Sequence, residues 1–93
     1  MIVGICRIVL FFHGNDSLKG KRQRIKSIIA KVRNKFNVSI AEIEDNDNWE
    51  KAVLGISIVS NDNKFVDRVL NTVIDFIDNQ HQGELIDHQI EIL

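Results

Sequence analysis

The order in which the hydrophobic period changes along the chain constrains its fold more than any other feature. From Leu18 the apolar positions Leu18, Ile25, Ile28, Ile29, Val32 and Phe36 fall within about 100° of one another on a 3.6-residue wheel, as on an amphipathic helix. A second helical stretch carries Phe65, Val66, Val69, Leu70, Val73, Ile74 and Ile77 along the i, i+4 and i, i+8 rows of one face. Strand-like segments enclose both. Residues 1–12 are rich in β-branched and aromatic side chains, residues 37–44 and 84–93 alternate, and residues 52–60 form a near-continuous apolar run suited to a central strand. The order is βαββαβ. Two right-handed crossovers joined by a hairpin then predict a four-stranded antiparallel sheet with both helices on one face, a ferredoxin-like α+β fold in a single domain spanning residues 1–93.

Local signals agree with these boundaries. His13–Ser17 reads as a turn in which Asp16 or Ser17 caps the first helix, the Asn61–Asn63 segment caps the second, and Gly83 ends the turn before the last strand. Gly20 weakens the first helical turn by up to about 1 kcal/mol relative to Ala. The alternation of residues 37–44 leaves two choices of buried face, Val38 with Ile40 or Ala41 with Ile43.

Charge is distributed unevenly. Formal net charge is −1. Residues 1–41 nevertheless carry nine bases against Asp16 alone, and residues 42–93 carry three against twelve acids. Eight of the bases lie on the first helix: Lys19, Lys21, Arg22, Arg24, Lys26, Lys31, Arg33 and Lys35. Lys19, Arg22, Lys26 and Arg33 occupy one flank of its apolar stripe and Arg24, Lys31 and Lys35 the other, with Lys21 at the edge of the buried face. Like charges at i, i+4 repel and do nothing for the helix. A merely solvated helix mixes signs, so this segment points to an anionic partner, a nucleic acid first of all. The third strand offers no aromatic and the first only Phe11 and Phe12 at its end, too little for a sheet-based reader of single-stranded RNA, so contact is expected through the helix and its preceding turn.

Other chemistry finds little support. The acidic stretch from Glu42 to Glu50 lacks the ligand spacing and glycine of a calcium loop, and within it Trp49 either packs against a strand end or meets a partner. Cys6 and His88 on neighbouring strands make only two potential zinc ligands, and His13 and His81 have no supporting spacing, so no metal or cofactor is expected. No Ser or Cys stands with a base and an orienting acid, and the acylphosphatase-like reading of His13–Arg22 fails on spacing, so the chain is not expected to be an enzyme. A lone cysteine, an N-terminal apolar stretch interrupted by Arg7, and the absence of a long apolar span together predict a cytoplasmic protein that needs neither disulfide nor membrane. The sheet face opposite the helices is expected to expose Val3, Ile5, Val9, Phe11, Val53 and Val59. Such an apolar patch suggests a homodimer or a protein partner.

The segments SLKGKRQRIKS, FNVSIAEIEDNDNW, LGISIVSND and the terminal IEIL resemble the YlxP-like family, a bacterial domain of unknown function numbered 503. That resemblance implies a small ferredoxin-like cytoplasmic protein. Genes of the family commonly lie among translation and ribosome-maturation genes, which favours association with RNA or the ribosome. Lys19, Lys21 and Arg22 match its basic motif. Gly20 departs from it, since many relatives carry there a glutamate able to complete a capping box with Ser17.

Overall fold

The computed structural model describes residues 1–93. Elements follow in the order β1 (Ile2–Phe11), α1 (Leu18–Lys35), β2 (Ser39–Glu44), β3 (Lys51–Ser60), α2 (Asn63–Asp78) and β4 (Glu84–Ile92). The sheet runs β2-β3-β1-β4 with every neighbouring pair antiparallel, so the chain has the ferredoxin-like α+β fold.

Period-2 alternation places Cys6, Ile8 and Leu10 of β1, with Phe12 beyond its end, on the side covered by the helices. Their β3 counterparts are Ala52, Leu54, Ile56 and Ile58, and the helices supply Ile25, Ile28, Val32, Val66, Leu70, Val73, Ile74 and Ile77. Gly4 lets α2 approach closely: a Cβ there would lie 2.3 Å from Val66 Cγ1. The two choices for β2 are resolved in favour of Val38 and Ile40. Ile40 is buried and Val38 packs against the core, whereas Ala41 and Ile43 face solvent. Ser17 is the cap of α1, its Oγ accepting from the Gly20 N–H at 3.0 Å, and Asp62 caps α2 by accepting from the N–H groups of Lys64 and Phe65.

On the open face of the sheet the expected apolar patch is corrected. Val9 and Val53 are cross-strand partners on the two central strands, with neighbouring strands on both sides, and they are 5% and 0% exposed. Val3 and Phe11 are half-buried, which leaves Ile5 and Val59 as the open members of that set. An ion pair breaks the surface further: Arg7 Nη2 donates to Glu44 Oε2 at 2.9 Å and its Nε to Oε1 at 3.2 Å. The face carries a shallow hollow of about 860 Å³ lined by apolar residues such as Ile5, Ala41 and Ile43 together with Arg7, Gly55, Ser57 and Gln89.

Candidate nucleic-acid interface

Eighteen residues make α1 about 27 Å long. No acid stands in its first turn, and Arg33 and Lys35 sit in its last, where they favour the negative end of the helix dipole. Seven of the eight bases are exposed: Lys19, Arg22, Arg24, Lys26, Lys31, Arg33 and Lys35.

Lys21 is the exception. Its side chain is fully buried, so the expectation that it meets a nucleic acid is corrected. Its ammonium lies 3.1 Å from Glu42 Oε2 and donates to the carbonyls of Asp45 at 2.7 Å, Lys51 at 3.2 Å and Asn46 at 3.4 Å. A buried ammonium is tolerable only when paired and hydrogen-bonded in this way. The spacing Leu18, Lys21, Ile25, Ile28, Val32 carries the signal for this burial, because Lys21 occupies an inward position of the helix.

The remaining bases are not compensated by carboxylates. The ion pairs of the molecule are Arg7–Glu44, His13–Glu84, Lys21–Glu42 and Lys51–Asp45, and none involves an exposed base of α1. Neighbouring α2 bears Asp67, Asp75 and Asp78, yet none reaches across to α1. The two flanks of α1 nonetheless differ. Arg24 donates to the Gln82 carbonyl at 3.4 Å and lies 5.8 Å from the Phe12 ring centre, while Lys35 sits 4.7 Å from that of Phe76. Those two are partly spent within the fold. On the other flank Arg22, Lys26 and Arg33 border a groove of about 450 Å³ between α1 and the edge strand β2, floored by Ile25, Ile29 and Ile40. Arg33 reaches the Ile40 carbonyl at 3.2 Å; Lys19, Arg22 and Lys26 make no hydrogen bond or ion pair within the protein.

The family described as protein of unknown function, DUF503, matches residues 3–90. The chain belongs to this family. Across 78 residues it is 40% identical to the uncharacterized protein YlxP of Bacillus subtilis (strain 168), covering 84% of this chain and 85% of that one. Among solved structures it is similar to a de novo designed protein, Foldit4, at 18% identity and a TM-score of 0.48, covering 99% and 92% of the two chains. It is also similar to a dimeric ferredoxin-like protein of unknown function from Thermobifida fusca, at 15% identity and a TM-score of 0.42, covering 98% and 90%. At that distance neither structure bears on what a DUF503 protein does.

Around the head of α1 this DUF503 chain uses residues that periodicity does not reveal. Asn15 Nδ2 donates to the carbonyls of Ser17 at 2.7 Å and Trp49 at 2.6 Å, tying the cap of α1 to the β2–β3 turn. Gly20 makes room for it, since a Cβ there would stand 2.8 Å from Asn15 Oδ1. Cys6 is buried, and burial pushes its thiol up to about 11. His88 lies opposite Ile8 in the β1–β4 pairing, while Cys6 lies opposite Ile90.

Proposed function

We propose that the protein is a non-enzymatic, cytoplasmic RNA-binding accessory factor that docks α1 on structured RNA, with ribosomal RNA foremost. The observation that carries this reading is the state of the cations on α1: seven are exposed and none is matched by a carboxylate of the same molecule. Lys19, Arg22, Lys26 and Arg33 form the contact row, and Lys31 adds charge on the far flank. Phosphates suit this row because neutralising them releases counterions and because guanidinium groups grip them bidentately. No helix is long and apolar enough to cross a membrane, so α1 is not a spanning element.

Binding of a labelled RNA followed across a salt series tests the proposal. If about four phosphates are engaged, log K falls against log salt with a slope of roughly −3 to −4. Replacing Arg22, Lys26 and Arg33 together by Glu abolishes retention while the fold persists. A flat salt response, or unchanged retention by the triple variant, would falsify the assignment. Crosslinking in cells followed by sequencing of the retained RNA identifies the target.

A further inference from the structure

Trp49 is the single tryptophan of a chain without tyrosine, and it is 55% exposed in the connection between β2 and β3. Leaving so large an apolar side chain in water is costly unless something covers it, and exposed tryptophans are favoured contact residues.

Its mount is held from several directions. Lys21 gathers the carbonyls of Asp45, Asn46 and Lys51 from beneath. Asn48 Oδ1 accepts from the N–H groups of Glu50 and Lys51, both at 2.9 Å. Gly14 N–H donates to Glu50 Oε2 at 3.2 Å, and Phe12 N–H to the Glu50 carbonyl at 2.7 Å. One amide nitrogen, Asn15 Nδ2, serves both the Trp49 carbonyl and that of Ser17, the cap residue of α1. The Trp49 backbone is therefore fixed at the head of the helix whose exposed bases no carboxylate of the molecule matches.

Three of the five acids of its segment are ion-paired: Glu42 with Lys21, Glu44 with Arg7 and Asp45 with Lys51. Asp47 and Glu50, on either side of Trp49, keep their charge, Glu50 accepting only from the Gly14 N–H. Phosphates therefore stay on α1, and the indole is left for the neutral face of a base.

We infer that Trp49 is a stacking platform for an unpaired nucleotide of the RNA whose phosphates α1 holds. This rests on the RNA-binding reading above and narrows it: the ligand presents a loop, bulge or single-stranded end at the head of α1, because paired bases offer no free face to an indole. Aliphatic side chains floor the groove beside α1, and Trp49 at 55% is more exposed than Phe65 of α2 at 39%.

The test follows two signals at once, anisotropy of labelled RNA and Trp49 emission, which no second tryptophan or tyrosine obscures. A hairpin RNA with an unpaired loop is compared with a blunt duplex of equal length. The loop RNA is expected to quench the emission and the duplex to leave it unmoved. Trp49→Ala should weaken the loop RNA by about 5- to 100-fold. Trp49→Phe should restore most of that loss, and neither variant should alter duplex binding or the circular dichroism spectrum. RNA that binds with unmoved emission, and equally well to Trp49→Ala, overturns the platform and leaves the α1 reading standing. Failure of the unmodified protein to bind either RNA overturns both.

Discussion

The ammonium of Lys21 and the carboxylate of Glu42 meet 3.1 Å apart, the first side chain wholly buried and the second 14% exposed. This pair fastens α1 to the end of β2 and, through three backbone carbonyls, to the turn beyond it. Lys21→Met should cost about 3–5 kcal/mol of stability, because it leaves a shielded carboxylate and several carbonyls without a donor. Arg22→Met, one residue on and exposed, should change stability by no more than about 0.5 kcal/mol. Urea denaturation of the two variants makes the comparison, and equal midpoints would refute the structural role of Lys21.

Charge on the outer face of α1 should behave in the opposite way. Arg22 and Lys26 stand at i, i+4 and repel, so Lys26→Glu replaces a like-charged pair by an opposite one. A gain of about 0.2–0.5 kcal/mol in stability is expected, together with weaker RNA binding. Thermal melts and a binding titration on the same preparation check both. Loss of stability together with loss of binding would mean that Lys26 supports the fold.

These two neighbouring stretches show how far the sequence could be read. Strand and helix order and sheet topology were legible because each element buries one face, and the period of that face survives in the chain. The basic helix was legible for the same reason: positions such as Arg22 and Lys26 fall off the apolar stripe. What escaped was pairing between segments far apart in sequence. Lys21 looks like its neighbours until Glu42 and the turn carbonyls close over it, and nothing local announces that Asp45 pairs with Lys51. Val9 and Val53 lie on the open face as alternation places them, yet they are covered there, because alternation gives the side of a sheet and not whether neighbouring side chains cover it.

Gly20 and Asn15 should be energetically coupled. Ala at position 20 gains helix propensity of about 1 kcal/mol, but its Cβ would stand 2.8 Å from Asn15 Oδ1 and 3.0 Å from Ser17 Oγ. The Asn15 side chain must then shift and loosen its bonds to the Ser17 and Trp49 carbonyls. Gly20→Ala should therefore stabilise an Asn15→Ala background more than the native one, by about 0.5–2 kcal/mol in a double-mutant cycle. Strict additivity of the two substitutions would show that the asparagine does not need the glycine.

Acid should weaken the open face of the sheet through Glu44. Its hydrogen bonds from Arg7, helped by the charge of the same guanidinium, hold the carboxyl below its ordinary value of 4.5. The folded state thus favours the ionised form, and the stability this confers is present above 4.5 and lost as pH falls through the lower folded value. Glu44→Gln should flatten the stability profile on the acid side of that point and leave its slope near neutrality unchanged. Because the pair is exposed, the difference should be small and should shrink further in salt. Denaturation midpoints measured from neutral to acid pH provide the check, and coincident profiles would remove the pair from any account of acid stability.

Cys6 tests the integrity of the core itself. It is 3% exposed on the helix side of β1, and loss of solvation raises its thiol to about 11. Reaction with iodoacetamide requires the thiolate, so at pH 8 both burial and protonation protect it. Native protein should remain unlabelled while protein in denaturing urea reacts fully, as intact mass reads directly. The labelling rate in intermediate urea should follow the population of open molecules measured by circular dichroism if the core that holds Cys6 opens as one cooperative unit. Rapid labelling of the native chain would mean that the helices do not close over β1 as described.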